Sequence, residues 1–79
     1  MYDDFEVIFF SDSRYEELTA EISYKDQILC QLNKDKGIDN IEVEFFSDAR
    51  ILADQVAMIF PLDNFLAVLT ETKKDLSES

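Results

Sequence analysis

The sequence contains one ten-residue pattern twice. Residues 6–15 read EVIFFSDSRY and residues 42–51 read EVEFFSDARI, so seven of the ten positions are identical at a spacing of 36 residues. Each copy has an apolar run of β-branched and aromatic residues typical of a strand, followed by Ser-Asp-x-Arg, which is typical of a turn. A second apolar run follows each copy, Leu18–Tyr24 in the first and Val56–Phe60 in the second. The repeat therefore predicts two related hairpins.

Short apolar runs and alternation of apolar and polar residues predict four to five strands. They are Phe5–Phe10, Glu17–Tyr24, Gln27–Leu32, Ile41–Phe46 and Val56–Phe60. The polar pair Lys25-Asp26 separates two alternating runs, which predicts a hairpin with a two-residue turn. Strict alternation turns Cys30 and Leu32 toward the core and Leu29 toward the opposite face.

One amphipathic helix is predicted at the C-terminal end of the chain. Pro61 stops the last predicted strand, Asp63 is expected to be the helix N-cap, and the helix is expected to run to about Leu76. Its apolar residues fall at helical spacing and form one stripe: Leu62, Phe65, Leu66, Leu69 and Leu76. Lys73 and Lys74 near its end complement the helix dipole.

These elements predict a single domain over residues 1–79 with frayed ends at 1–4 and 77–79. The chain is 47% hydrophobic, which is too apolar for a disordered acidic segment. The predicted fold class is α+β, an antiparallel sheet of four to five strands with one C-terminal helix packed on one face.

The charge balance restricts the kind of partner. Ten Asp and eight Glu outnumber five Lys and two Arg, and the net charge is −11. Such a surface repels nucleic acid phosphates and attracts basic proteins by electrostatic steering. Acidity that serves solubility alone is the competing interpretation.

The sheet face away from the helix is the predicted contact surface. Alternation on Ile41–Phe46 turns Val43 and Phe45 toward the core and its glutamates outward, so acidic and aromatic side chains are expected to share the open face. The predicted partner-binding residues are Glu17, Glu21, Glu42, Glu44, Phe10 and Phe46, with Asp12 and Asp48 of the SDxR turns.

Arg14 is expected to tie its loop to a nearby carboxylate. The repeated turns leave three interpretations open: a duplicated hairpin kept for folding, a matched pair of loops forming one recognition edge, or coincidence in a chain rich in Phe, Ser and Asp. Seven matches in ten make coincidence the weakest of the three.

The chain lacks residues that the common catalytic mechanisms require. The chain has no His, which excludes Ser-His and Cys-His relays and the usual zinc sites, and one Gly, which excludes a glycine-rich phosphate loop. The acidic segment 33–42 does not place Gly37 where a twelve-residue calcium loop needs it. Cys30 has no basic neighbour in sequence and is expected to pack in the core. We therefore expect no enzyme activity, no catalytic residues, no metal site and no cofactor.

Three segments resemble a known class of small acidic proteins. They are ELTAEI at 17–22 with Tyr24, KGIDNIEVEF at 36–45 and FPLDNFL at 60–66. Over residues 16–76 the chain resembles the immunity proteins of bacterial contact-dependent growth inhibition systems. The resemblance implies a protein that binds and neutralises the toxic C-terminal domain of a cognate toxin, often a basic nuclease, by covering its active site.

Two alternative functions stay open: a DNA-mimic inhibitor of a nucleic-acid-binding protein, and a structural subunit or homo-oligomer without an inhibitory role. The oligomeric state is not determined by the sequence. A single Cys indicates a reducing cytoplasm, and the acidic MYDDFEV start with apolar runs too short to span a bilayer predicts neither export nor membrane insertion.

Overall fold

The structure, a computed structural model, describes residues 4–45 and 59–79. In these residues four strands precede one helix. They are β1 (Phe5–Phe10), β2 (Thr19–Tyr24), β3 (Gln27–Asn33), β4 (Glu42–Phe45) and α1 (Leu62–Ser77). The strands form one antiparallel sheet in the order β1-β2-β3-β4, so every neighbour in the sheet is also a neighbour in sequence. The predicted α+β class, with one helix packed on the sheet, is confirmed.

Three strand boundaries differ from prediction, and one of them is the start of β4, at Glu42 instead of Ile41. Glu17 and Leu18 precede β2, whose first residue is Thr19, and β3 extends one residue further, to Asn33. The predicted last strand lies largely outside the described residues, and Ile59 and Phe60, which are described, belong to no strand. The hairpin expected from the second repeat copy therefore falls mainly outside the described part of the chain.

The β2–β3 hairpin has the predicted two-residue turn. Lys25 and Asp26 both have positive φ, 48° and 68°, which is the conformation of a type I′ turn. A register shift follows, because Ile22 pairs with Cys30 whereas Ser23 pairs with Ile28. The extra residue is Leu29, and it packs against the core. The prediction for Leu29 was wrong because a β-bulge interrupts the two-residue alternation.

The core lies between the helix and one face of the sheet. Its buried hydrophobic members are Phe5, Ala20, Ile22, Tyr24, Cys30, Leu32, Val68 and Leu76. Four aromatic rings close one end of it, those of Phe5, Tyr24, Phe60 and Phe65, with ring centroids 4.7 to 6.2 Å apart. Tilted and edge-on aromatic contacts at these distances add to the hydrophobic stabilisation of the buried area.

The helix begins and packs differently from its predicted pattern. Pro61 occupies the N-cap position and Asp63 lies in the first turn, where its charge still complements the helix dipole. Leu62 and Leu66, expected in the apolar stripe, are exposed, whereas Val68 and Thr72 are buried. The buried face of the helix is therefore rotated relative to the predicted stripe and includes Thr72. The Thr72 hydroxyl can point inward because it donates its hydrogen to the carbonyl of Val68 at 2.7 Å. The polarity of Thr72 concealed this face in the sequence.

The helix packs mainly against β1 and β2 and leaves β4 less covered. Val43 and Phe45 do lie on the helix side of the sheet, paired with Leu32 and Cys30 of β3. They are nevertheless 48% and 62% exposed. The prediction that both are in the core was wrong, because one helix does not extend across the width of four strands.

Candidate protein-binding surface

The sheet face opposite the helix carries two cross-strand rows of side chains. The register aligns Ile8, Glu21, Gln31 and Glu44 in one row, and Phe10, Thr19, Asn33 and Glu42 in the next. Glu21, Glu42 and Glu44 therefore share this face, as alternation predicts. Phe10 shares it too, but it lies on the opposite edge strand from Glu42, about 14 Å away across three strand spacings.

The β1–β2 loop, residues 11–18, contacts the centre of this face. Its Asp12 carboxylate accepts a hydrogen bond from the side chain of Gln31 on β3, at 2.9 Å. Gln31 is only 2% exposed and Thr19 is fully buried, although both lie on the face expected to be open. The prediction of an open face was wrong at its centre, because the loop supplies Gln31 with partners that water would otherwise provide.

Asp12 and Arg14 close the loop locally. One carboxylate oxygen of Asp12, Oδ1, accepts the backbone N–H of Arg14 at 2.9 Å. The other, Oδ2, accepts Nε at 3.3 Å and Nη2 at 3.2 Å from the Arg14 side chain. A carboxylate that bonds the backbone two residues later forms an Asx turn. The SDxR sequence thus makes the turn that it predicts, at least in its first copy.

Arg14 also connects the loop to β4. Its guanidinium donates to Glu44 at 3.3 and 3.5 Å and to the side-chain oxygen of Gln31 at 3.2 Å. The Tyr15 hydroxyl donates to the same Glu44 carboxylate at 3.2 Å, and the Arg14 Cζ lies 5.2 Å from the centre of the Tyr15 ring. The expectation that Arg14 ties its loop to a carboxylate is confirmed, with Asp12 and Glu44 as the two carboxylates.

The hydrogen bonds of this cluster change the acidity of its members. The side-chain amide of Gln31, together with the backbone and side chain of Arg14, lowers the pKa of Asp12 from 3.8 to about 2. The bond with Asp12 raises the pKa of Arg14. Desolvation and the neighbouring Glu44 charge raise the pKa of Tyr15. At neutral pH Asp12 is therefore ionised, Arg14 is charged and Tyr15 is a neutral phenol.

A groove runs along β4 beside the cluster. It has a volume of about 580 Å³, and its lining residues are Tyr15, Asn33, Ile41, Glu42, Val43 and Glu44. Both glutamates of β4 border it, and each already pairs with a cation of this chain. Glu42 binds the ammonium of Lys36 at 3.0 Å, and Glu44 binds Arg14. Their side chains stay 50% and 41% exposed, so this edge presents carboxylates to solvent.

The other predicted contact residues lie apart from this groove or outside the described residues. Glu17 is in the β1–β2 loop and not on a strand, and its backbone N–H donates to Asp35 at 2.9 Å. Phe46 and Asp48 lie outside the described residues. The second SDxR turn, residues 47–50, lies there as well, so the expectation of one recognition edge built from both turns stays a prediction.

The contact-surface prediction omitted three cluster members, Arg14, Gln31 and Tyr15, and only Arg14 was expected to contact a carboxylate. Gln31 was placed on the open face by alternation, but nothing in its sequence neighbourhood shows that a loop 17 residues away supplies its partners. Tyr15 occupies a position where the two repeat copies differ, Tyr in one and Ile in the other. That difference was the available signal, since only the first copy has a hydroxyl to reach Glu44.

The described residues contain one thiol and many carboxylates. Cys30 is fully buried, and desolvation raises the pKa of its thiol to about 11, so the thiolate is scarce at neutral pH. Over residues 4–45 and 59–79, no three His, Cys, Asp or Glu side chains are grouped so that they could hold a metal ion. What the surface does offer is exposed carboxylates next to an aromatic ring.

Among the described residues, no helix combines the length and apolar character needed to cross a membrane. Searches with the whole chain found no matching protein-family model, no matching curated protein and no matching solved structure.

Proposed function

We propose that this protein binds and neutralises a basic protein domain, in the manner of an immunity protein that protects a cell from a toxin. The supporting observation is the β4 edge, where Glu42 and Glu44 flank a groove and each binds a cation of the chain itself. Carboxylates so placed can bind lysine and arginine side chains of a partner. The resemblance to immunity proteins and the net charge of −11 support the same function.

The proposed mechanism is occlusion of a basic site. A nuclease binds phosphates with Lys and Arg, and carboxylates that reach those side chains replace the phosphates electrostatically and block the site sterically. Long-range attraction between unlike net charges raises the association rate, which matters for an inhibitor that must act before its target does. In this proposal the protein acts in the cytoplasm and needs neither cofactor nor metal.

The experiment is a pull-down with the tagged protein from cells that express the neighbouring genes, followed by mass spectrometry. We expect one basic protein domain in a roughly one-to-one complex that weakens as salt is added, because salt screens charge pairs at the interface. A partner that DNA displaces would indicate the DNA-mimic form of the same inhibition. Recovery of this protein alone would contradict the proposal.

Matched variants distinguish the effect of the β4 surface on affinity from the effect of overall net charge. Glu42→Gln with Glu44→Gln and Glu71→Gln with Glu78→Gln remove the same charge, the second pair from the exposed side of the helix and its C-terminal end. We expect about a tenfold loss of affinity for the first pair and less than about threefold for the second. Equal losses would remove the β4 surface from the proposal. Neutral substitutions are used because a lysine at position 44 would repel Arg14.

Self-association is the second candidate, and one observation favours it. Val43 and Phe45 expose apolar side chains side by side on β4, where a second copy could cover them. The average mass in solution, measured across a concentration range, tests this directly. A mass that rises with concentration in the unmodified protein and not in a Phe45→Ser variant would establish a homo-oligomer.

A further inference from the structure

We propose that Asp12, Gln31, Glu44 and Tyr15 form an arginine-binding site, which Arg14 occupies in the free protein and which an arginine of the partner occupies in the complex. This inference rests on the proposed function and specifies its chemistry, since it names the partner side chain and the acceptor atoms that receive it. The acceptors are Oδ2 of Asp12, Oε1 of Gln31 and both carboxylate oxygens of Glu44.

The acceptor groups are held in place by bonds that do not need the Arg14 guanidinium. The Gln31 amide donates to Asp12 at 2.9 Å, and the Tyr15 hydroxyl donates to Glu44 at 3.2 Å. The backbone N–H of residue 14 binds Asp12 at 2.9 Å and remains whatever side chain follows. Gln31 is almost fully buried, so its amide has little freedom to turn away. The site is therefore organised before a guanidinium enters it.

The guanidinium of Arg14, by contrast, is held loosely. Its five hydrogen bonds measure 3.2 to 3.5 Å, whereas charge-assisted N–H···O bonds in tight sites measure about 2.7–2.9 Å. The side chain is 46% exposed, so water can replace its contacts as they break. Exposed ion pairs of this kind contribute little net stability. Replacing the Arg14 guanidinium with another guanidinium therefore costs little free energy.

The arrangement of acceptors selects arginine over lysine. Acceptors on Asp12, Gln31 and Glu44 surround one planar group, which can donate through Nε and both Nη atoms at once. The Tyr15 ring adds a face for the guanidinium, with Cζ 5.2 Å from its centre. An ammonium in the place of Nη2 would reach all three acceptors, at 3.2 to 3.3 Å, but it would not form the two further bonds that Nε donates to Asp12 and Nη1 donates to Glu44. It would also lack a planar face toward the Tyr15 ring.

The first experiment vacates the site and adds a small probe. In an Arg14→Ala variant, methylguanidinium chloride is titrated while NMR follows the side-chain N–H₂ signals of Gln31. We expect saturable shifts and an affinity about fivefold or more tighter than for methylammonium chloride, because the ammonium loses at least one charge-assisted bond. Lys74→Ala, which removes a cation elsewhere and leaves Arg14 in the site, is the matched control and should need a much higher methylguanidinium concentration for the same shift at Gln31.

The acceptor role of Glu44 is tested in the same background. Arg14→Ala combined with Glu44→Gln should lose the preference for methylguanidinium. If Arg14→Ala disturbs the loop, its thermal unfolding temperature should be raised more by methylguanidinium than by methylammonium at equal concentration, since only the former refills the site. Equal effects of the two cations, in titration or in unfolding, would overturn the proposal.

The second experiment tests exchange in the unmodified protein. Hexa-arginine should shift the Nε–H signal of Arg14 and the N–H₂ signals of Gln31, and hexa-lysine at the same concentration should shift them less. An Arg14 signal that responds equally to both peptides would overturn the exchange. These probes contain no natural partner, so the site can fail while the protein still captures a basic domain, and capture can fail while the site still binds guanidinium.

Discussion

At the scale of single residues, several charged side chains bind the protein's own backbone and loops. Asp12 accepts the N–H of Arg14, and Asp35 accepts the consecutive N–H groups of Glu16 and Glu17 at 3.1 and 2.9 Å. The carboxylates of Asp12 and Asp35 thus accept hydrogen bonds from backbone N–H groups of the β1–β2 loop. A backbone N–H that lacks a partner would cost free energy of folding. An excess of acid is thus compatible with an ordered loop.

The Asp12 carboxyl should titrate at about 2 in the folded protein, below its ordinary 3.8. Because the folded pKa is the lower one, ionised Asp12 stabilises the fold above about pH 4, and this stabilisation is lost as the pH falls from about 4 to about 2. Carbon NMR of the Asp12 carboxyl measures the pKa, and urea midpoints over the same pH range measure its effect.

Variants identify the cause of that shift. Gln31→Leu removes the largest contributor and should raise the pKa of Asp12 toward 3.8, more than Arg14→Ala does, because residue 14 keeps its backbone N–H in either case. An unchanged pKa in Gln31→Leu would show that the amide bond is not what holds Asp12 ionised.

At the scale of elements, the ends of strands and helix depend on backbone chemistry more than on hydrophobic pattern. The β2–β3 turn uses Lys25 and Asp26 in a left-handed conformation that glycine adopts without cost, and Gly37 has φ 102° in the β3–β4 connection. Lys34, next after β3, donates its ammonium to the carbonyls of Leu76 at 3.0 Å and Ser79 at 2.9 Å. The residue that follows β3 therefore caps the C-terminal end of the helix.

Replacing the turn with Lys25→Asn and Asp26→Gly should stabilise the protein by about 0.5–1 kcal/mol, because Asn-Gly suits two positive φ angles better than Lys-Asp does. The lost contact between Lys25 and the Tyr24 ring, at 5.5 Å, reduces the gain. Urea unfolding gives the free energy of unfolding.

Gly37→Ala should destabilise the protein by about 1 kcal/mol. The cause is backbone strain alone, because no atom lies near the added methyl group. Urea unfolding measures this loss as well.

Removing the lysine cap with Lys34→Met should cost about 1–3 kcal/mol, because carbonyls at the helix end lose a charged donor that is itself almost buried. The urea midpoint should fall with an unchanged m-value. Lys36→Met is the matched control, since its ammonium is exposed and pairs with Glu42 at the surface, and it should change stability by less than about 0.5 kcal/mol. Similar losses in the two variants would contradict the capping role.

At the scale of the whole molecule, two features matter: the net negative charge, and the part of the sheet that the helix covers. The net charge of −11 makes the average electrostatic interaction repulsive, while Arg14 and Lys36 form attractive ion pairs with Asp12, Glu44 and Glu42. The helix covers β1 and β2, so the apolar groups of β4 on the helix side of the sheet stay accessible. The accessible edge is therefore a result of how one helix packs on four strands.

Salt should raise the stability of the isolated protein. Screening reduces repulsion among eighteen carboxylates by more than it weakens the few exposed ion pairs, since the Debye length falls to about 10 Å at 0.1 M salt. Urea midpoints at low and moderate sodium chloride concentration test this expectation. A midpoint that falls with salt would mean that the ion pairs of Arg14 and Lys36 outweigh the general repulsion. Binding of a basic partner should show the opposite dependence and weaken with salt.

The sequence by itself determined the α+β class, the β2–β3 hairpin with its turn at Lys25-Asp26, and a C-terminal helix that the structure places at Leu62–Ser77. These features follow from periodicity and turn chemistry, which are properties of residues a few positions apart. Glu42 and Glu44 could likewise be assigned to one face from alternation alone.

Only the tertiary structure decided what each face meets. The bulge at Leu29, the inward Thr72 and the exposure of Phe45 depend on which strand or helix lies opposite. The Arg14 cluster joins residues separated by 17 and 30 positions, so no local pattern contains it. Long-range packing, here of the β1–β2 loop and the helix on the sheet, determines whether a carboxylate faces solvent, a partner or an arginine of its own chain.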